Sequence, residues 1–354
     1  MKKWFVILLG VLLVTASGCV RKTVLDDINT VTGIGYDYHS KTKVRGTVLI
    51  PVYQPQQISN QTLSTTLEVS RDVINELQHK SSEPLGRGSL EVLLFGDKMA
   101  RKGTIGVLEM LQRDPRIGTR AQVAIVKGRT DKLMQGNYGT VGNGIYLSNL
   151  IRQNIEERDI PRTNLHSFLY AYYSNGSDPF LPYLQKEGNK VKVVGVALFK
   201  NDRMVHHIEN KDLFYFKILS ARYKTGTHTT KMEGEYASIR NITTTRRFLI
   251  EGPKERPSIT VDIRMKGVLY EFSHDVYNKK IRKQIEDAFE KDIVKNAGKL
   301  IKHMQSHRID PVGFGERAKS RYRNFDYKAF YRNYPDLDIK VKAKVTITQA
   351  GIVE

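Results

Sequence analysis

The chain contains a single cysteine, Cys19, and this fact limits how its fold can be stabilised. With no second cysteine, no disulfide can form within the chain. Cys19 follows a short basic start and an apolar run over residues 5–14, and it stands directly after Ala16, Ser17 and Gly18. This order is typical of a secretory signal that is removed from the mature protein. The fold must therefore depend on a packed core formed by the residues after position 18.

The position of the cysteine also predicts a covalent modification. Ala16-Ser17-Gly18-Cys19 resembles the bacterial lipobox, with alanine where leucine is more usual. The resemblance implies that the Cys19 thiol receives a diacylglyceryl group, that cleavage falls between Gly18 and Cys19, and that the new amino terminus is acylated. Cys19 then cannot serve as a catalytic nucleophile. A membrane span is disfavoured, because the apolar run is shorter than the roughly 20 residues that a span requires.

The charge balance favours an anionic neighbour. Hydrophobic residues make up 40% of the 354 residues and charged residues 27%, as in ordinary globular proteins. Removal of residues 1–18 takes away two lysines and leaves 55 basic against 37 acidic residues, a formal charge of +18. For an exported, anchored protein we expect this charge to meet anionic lipid head groups, at about 1 kcal/mol per nearby basic residue, and no nucleic acid. The basic clusters at 279–283 and 317–323 also fit a solvated surface.

Hydrophobic periodicity predicts both strands and helices. Apolar residues alternate strictly with polar ones over 339–348, which is typical of a strand with one buried face. Similar reasoning places strands at 44–52, 90–95, 122–126, 191–199 and 259–265. Helices are predicted at 63–78, 97–111 and 279–303, with Asn278 as the N-cap of the last and Asp97 as a cap of the second.

The order of these elements predicts the fold class and the division of the chain. Strands and helices are mixed without a regular βαβ rhythm, which favours α+β domains of mixed α/β content, each a mixed or antiparallel sheet with helices. Turn-forming residues cluster at 175–179 and at 187–190. We therefore predict a signal peptide at 1–18, an N-terminal region at 19–187 that forms one domain or two subdomains, and a C-terminal domain at 188–354.

No group of residues predicts catalysis or a metal site. His303 and His307 lie four apart in a predicted helix but lack the glutamate of the zinc-protease motif. On a strand, His206 and His207 would point to opposite faces and could not chelate one ion together, so a turn is favoured. The glycine-rich residues 139–144 lack the Walker lysine and the dinucleotide spacing. We predict no enzyme, no metal and no cofactor other than the covalent lipid on Cys19, and no ligand-binding residue is predicted.

Several short segments, taken in order, resemble one known family. The chain is similar to the Ger(x)C lipoproteins, the C subunits of bacterial spore germinant receptors. The segments that carry this resemblance are DDI (26–28), GIGYD (33–37), DKMARKG (97–103), RDPR (113–116), AIVKG (124–128), VGVALFKNDR (194–203) and DPVGFGE (310–316), with Gly351 near the end of the last strand. Pro115 and Arg116 depart from the family, which often has acidic residues there.

The resemblance implies an architecture, a location and partners. It implies three mixed α/β domains and a complex with integral-membrane A and B subunits. It also implies a lipid-anchored position at the outer surface of the cell membrane, or of the spore inner membrane, where nutrients trigger germination. The membrane subunits are implied to hold the nutrient site. Two alternatives remain: a solute-binding lipoprotein of a transporter, with two similar lobes, and an anchored hydrolase of the cell envelope.

Overall fold

A computed structural model describes residues 28–55, 57–68, 72–114, 121–232, 234–273 and 278–350. Cys19 and Gly18, on which the predicted anchor depends, lie outside these residues, as do Pro115, Arg116 and Gly351. In the described part, strands and helices form several sheets with helices packed against them. The predicted mixed α+β class is therefore confirmed.

The strands and helices are numbered here along the chain. The strands are β1 (Asn29–Thr30), β2 (Gly33–Tyr38), β3 (Lys43–Gln54), β4 (Gln57–Glu68), β5 (Leu85–Gly86), β6 (Val92–Gly96), β7 (Gln122–Val126), β8 (Phe180–Glu187), β9 (Lys190–Lys200), β10 (Arg203–Glu209), β11 (Thr227–Met232), β12 (Glu235–Glu251), β13 (Ser258–Phe272) and β14 (Ile339–Ala350). The helices are α1 (Val73–Gln78), α2 (Asp97–Lys102), α3 (Ile105–Gln112), α4 (Thr130–Met134), α5 (Asn143–Glu157), α6 (Leu165–Tyr173), α7 (Asn210–Ser220), α8 (Lys279–Ser306), α9 (Phe314–Arg321) and α10 (Tyr327–Asn333). A 3₁₀ turn, Tyr334–Asp336, follows α10.

The larger sheet has eight strands in the order β10-β9-β8-β7-β6-β2-β3-β4. Its centre, β2-β6-β7-β8, is parallel, and the pairs on both sides are antiparallel. The predicted division at residue 188 falls in the tight turn between β8 and β9, where Glu187 pairs with Lys190. Strands on both sides of that position therefore belong to one sheet, and the division into domains stays a prediction.

Buried side chains cover both faces of this sheet. Successive residues of β6 point in opposite directions, so that Leu93 and Phe95 join one core while Val92 and Leu94 join the other. The first core includes residues of α1, α2, α3 and α6. The second includes residues of α4, α5 and α7, and it continues into the C-terminal sheet and α8. The two halves of the chain thus share a hydrophobic core.

The C-terminal sheet has the order β11-β12-β13-β14 and packs against α8. In β14, buried apolar residues alternate with exposed lysines and threonines, as predicted. The predicted helix at 279–303 is α8, whose Asn278 side chain accepts a hydrogen bond from the Ile281 amide and so caps it. Two glutamates of α8, Glu286 and Glu290, accept hydrogen bonds from amides of β14 at 3.0 Å. These bonds satisfy backbone donors on an edge strand that would otherwise be open to pairing.

Two predicted helices are wrong in part. Residues 63–68 belong to β4, and among the described residues of the predicted range only Val73–Gln78 is helical. The threonine-rich segment favours an extended chain, and Asp72 caps α1 through the Ile74 amide. The helix predicted at 97–111 is broken into α2 and α3. Asp97 is the first helical residue and does not cap α2 with its side chain.

The break between α2 and α3 lies at Gly103, which has φ of 130°, and a residue far along the chain binds the amides that follow it. The carboxylate of Asp202 accepts hydrogen bonds from the amides of Thr104 and Ile105 at 3.0 and 3.2 Å. These amides are free donors at the start of α3, and a carboxylate is favoured there because the helix dipole is positive at that end. Asp202 lies in the β9–β10 turn, so this contact joins α3 to the edge of the large sheet.

A buried carboxylate ties β2 to α4. Asp37 accepts hydrogen bonds from the Thr130 amide at 2.9 Å and from the Thr130 hydroxyl at 2.8 Å. Gly35 lies beside this contact, where an added Cβ would stand 2.4 Å from the Thr130 Oγ1 and 2.8 Å from the Met134 Sδ. Only a residue without a side chain allows α4 to approach β2 so closely.

We expect Gly35→Ala to lower the free energy of unfolding by about 1–3 kcal/mol, because the added methyl group would overpack the contact between β2 and α4. Guanidinium denaturation followed by circular dichroism measures this change. Gly88→Ala is the matched control, since Gly88 is exposed and no heavy atom lies within 4 Å of an added Cβ. Equal stability of the Gly35 variant and the native chain would contradict this interpretation.

Candidate functional site

The two halves of the chain meet where the end of α8 leads into the turn at 310–316. We call this region the joint, formed by residues 174–178, β10, the C-terminal end of α8 and the turn at 310–316. The backbone amide of Asp178 donates to the Asp310 carbonyl at 2.9 Å, and the Asp310 amide donates to the Asp178 carboxylate at 2.7 Å. Glu316 adds a backbone hydrogen bond to Gly176. The joint therefore connects the segment before β8 to the start of α9.

The Asp310 side chain organises this turn. It is fully buried, and its two oxygens accept hydrogen bonds from the amides of Gly313, Phe314 and Gly315 at 2.8–2.9 Å. The Tyr331 hydroxyl donates a fourth at 3.0 Å. Gly313 stands directly before α9 and has φ of 80°, a conformation that glycine adopts without a steric penalty. The carboxylate thus satisfies the free amides at the start of α9 and joins them to α10.

Burial governs the acid–base properties of these carboxylates. It raises the pKa of Asp310 to about 6, although the amides of Gly315 and Phe314 oppose the shift. Burial also raises the pKa of Asp178, and this shift is opposed by Lys200, whose ammonium donates to the Asp178 carboxylate at 3.1 Å. At neutral pH Asp310 is ionised, and its charge is compensated by four hydrogen-bond donors.

We expect Asp310→Asn to lower the free energy of unfolding by about 2–4 kcal/mol. In the native chain, both carboxylate oxygens accept hydrogen bonds from donors. In the variant, the side-chain nitrogen of asparagine, itself a donor, would face some of these donors and could not accept from them. Chemical denaturation of both proteins measures the loss. Asp336→Asn, at an exposed position of the 3₁₀ turn, is the control and should leave stability within about 0.5 kcal/mol. If Asp310→Asn is as stable as the control, the turn does not depend on this carboxylate.

Four histidines, His206, His207, His303 and His307, form a second feature of the joint, which we call the histidine cluster. The rings of His206 and His303 lie 4.2 Å apart, those of His206 and His307 4.8 Å, and those of His303 and His307 4.4 Å, measured between centroids. His206 and His207 are on β10 and not in a turn, which corrects the sequence-based interpretation. The pairing of β10 with β9 is irregular between Met204 and His206, and the two adjacent rings stack with centroids 5.6 Å apart.

The histidine cluster lies beside an open groove of about 410 Å³ whose walls include Glu209, Lys211, Asp212 and Lys299. Burial, followed by the neighbouring His303 and His307, lowers the pKa of His206 to about 4. Burial and His307 also lower the pKa of His303. His206 is therefore neutral at physiological pH, and one of its two ring nitrogens can offer a lone pair.

Other sequence-based candidates lie apart from the joint or remain on the surface. The basic residues at 279–283 are exposed at the start of α8, and Arg317, Lys319, Arg321 and Arg323 are exposed on and after α9. Both clusters therefore lie on the surface of the described residues, where solvent or lipid head groups can meet them. Sequence reasoning missed the meeting of His206 with His303, because nothing in a local pattern brings β10 to the end of α8. The four-residue spacing of His303 and His307 was the available signal.

The sequence matches two protein-family models that together cover most of the chain. Residues 21–186 match the spore germination protein N-terminal domain, and residues 194–351 match the spore germination B3/GerAC-like C-terminal domain. The joint contains residues from both matched ranges.

Individual proteins and a solved structure agree with this match. The chain is 33% identical over 361 residues to the spore germination protein GerQC of Bacillus cereus, with 100% of both chains covered. It is 24% identical over 371 residues to the putative spore germination protein YfkR of Bacillus subtilis (strain 168), with 95% of this chain and 94% of that protein covered. The crystal structure of the GerBC protein has the same fold, with a TM-score of 0.60, 17% identity and coverage of 89% of this chain and 97% of that chain. The chain belongs to the Ger(x)C family of spore germination proteins.

Proposed function

We propose that this protein is the lipid-anchored, non-enzymatic C subunit of a nutrient germinant receptor. In this role it assembles with integral-membrane A and B subunits at the outer surface of the spore inner membrane. The observation that carries the proposal is the pair of family matches, which begin two residues after Cys19 and continue to residue 351. Because the cysteine follows a secretory signal, the matched region would lie on the far side of the membrane from the cytoplasm.

The physical properties of the described residues support a tethered body. Among them, no helix is long and apolar enough to cross a bilayer. Attachment would then depend on the lipid at Cys19, assisted by basic residues near the head groups. Two or more acyl chains give durable attachment where one chain does not. The joint also supports a structural role, since its buried carboxylates are occupied by backbone amides, Lys200 and Tyr331 rather than directed into a cleft.

The two alternatives have less support. A solute-binding protein with two similar lobes is disfavoured, because the two larger sheets of the described ranges differ in size, with eight strands in one and four in the other. An envelope hydrolase would need a pair of facing carboxylates in a cleft. The close pair in the joint, Asp178 and Asp310, is buried and fully engaged in hydrogen bonds.

We expect Cys19→Ala to reduce the membrane-bound fraction of the protein by at least about tenfold, because the acyl chains that provide the binding energy are lost. Fractionation of spore membranes and quantitative immunoblotting measure this fraction. The nutrient response of the spores should fall in parallel. Ser17→Ala keeps the cysteine and a small residue beside it and serves as the control. A Cys19→Ala protein that stays fully bound and active would refute the anchor.

We expect the protein to co-purify with integral-membrane A and B subunits when spore inner membranes are solubilised in mild detergent. Chemical crosslinking before solubilisation, followed by mass spectrometry, identifies the contact residues. The control is a lipoprotein that keeps the signal and Cys19 but lacks the matched residues 21–351. It measures recovery that is due only to shared membrane fragments. Recovery of the native chain without any integral-membrane protein would contradict the proposed assembly.

A further inference from the structure

Three imidazoles from distant parts of the chain converge in the histidine cluster. Donor nitrogens of His206, His303 and His307 all lie within 4.8 Å of one another. Nitrogens that bind one Zn²⁺ ion at 2.0–2.1 Å in tetrahedral geometry lie about 3.3 Å apart. His206 and His303 are partly exposed and His307 is exposed, so side-chain rotation can close this difference. The backbone already brings the three ligands to one place.

The hydrogen bond of His307 leaves one ring nitrogen available. Its Nδ1 lies 2.9 Å from the His303 carbonyl oxygen, which can only accept. Nδ1 must therefore carry the proton and donate it, and Nε2 keeps its lone pair. A metal-binding histidine typically donates its second ring nitrogen to a carbonyl or carboxylate in this way, which fixes both tautomer and orientation.

His303 shows the complementary feature. Its Nε2 atom is buried and has no hydrogen-bond partner among the residues that the structure describes. An unsatisfied buried polar atom costs about 1–3 kcal/mol and calls for an explanation. Because the neighbouring groups are imidazoles with lone pairs of their own, a cation between the rings would satisfy this nitrogen and stabilise the cluster.

We propose that His206, His303 and His307 bind a late first-row divalent cation of the Zn²⁺ class, with the remaining position open to water from the groove. Imidazole nitrogen suits Zn²⁺, Cu²⁺ and Ni²⁺ better than Ca²⁺ or Mg²⁺, which prefer oxygen. Three protein ligands and one open position are the usual arrangement of an accessible zinc site. The prediction of no metal assessed His303 with His307 and His206 with His207 as separate pairs, and so did not combine ligands from β10 and α8.

The surrounding charges set the expected strength of binding. Asp212 exerts a field that favours positive charge on His303, while Arg101 opposes positive charge at His206. Three neutral ligands and a nearby guanidinium favour weaker binding than a structural site with four cysteines. The ion would link β10, in the large sheet, to the end of α8, which packs on the C-terminal sheet. Metal binding would therefore brace the joint.

The test uses the full chain, purified in detergent and freed of metal by a chelator. Titration with Co²⁺ should produce the visible absorption of a tetrahedral site, and Zn²⁺ should abolish this absorption by competition. His206→Asn and His307→Ala should each weaken Co²⁺ binding by at least about 100-fold. His39→Ala, an exposed histidine outside the cluster, should bind as the native chain does. Zn²⁺ should also raise the thermal midpoint of the native chain and of the His39 variant only.

Folding of the variants is checked by circular dichroism without metal. His307 is exposed, so its replacement leaves the fold intact even if His206→Asn does not. The proposal is wrong if the native chain gives no Co²⁺ absorption, or if a folded His307→Ala protein binds Co²⁺ as tightly as the native chain. Neither result would affect the family membership or the lipid anchor.

Discussion

The buried carboxylate of Asp310 is the interaction on which the turn at the joint and the start of α9 depend. Its oxygens accept from three consecutive amides at the start of α9 and from Tyr331, and its backbone pairs with Asp178 on the other side of the joint. Without it, three amides and the Tyr331 hydroxyl would lose their acceptor, at a cost of several kcal/mol. The glycines of the turn allow the backbone to wrap around the side chain, which explains why the segment is rich in glycine.

The same device recurs elsewhere in the fold. Asp37 fixes the start of α4 and Asp202 the start of α3, each through amides more than 90 residues away in sequence. All three aspartates lie in segments that resemble the Ger(x)C family. At these three positions the resembling segments supply a carboxylate that holds one element against another. This is the physical basis for a proposed role as a structural subunit.

Local pattern predicted the elements whose stability depends on one amphipathic face. The apolar stripe of α8 and the alternation in β14 each specify an orientation by themselves, and the structure confirms both. Prediction from local pattern failed where contacts with residues distant in sequence affect the local structure. Asp202 binds the amides at the break in the helix predicted at 97–111. Pairing with β3 extends residues 63–68 into a strand, although Leu63 and Leu67 have helical spacing.

The histidine cluster could not be predicted from local sequence pattern for the same reason. Its proposed ligands come from β10 and from the end of α8, and only the fold brings them together.

Cys19 is different, because its predicted modification follows from a linear motif. It lies outside the described residues, and the modification stays a prediction. The modification of Cys19 is tested most directly by measuring the intact mass of the protein purified from spore inner membranes. The anchored-subunit proposal predicts a chain of residues 19–354 that carries a diacylglyceryl group and an N-acyl group. A mass equal to residues 1–354, or to residues 19–354 without lipid, would contradict it.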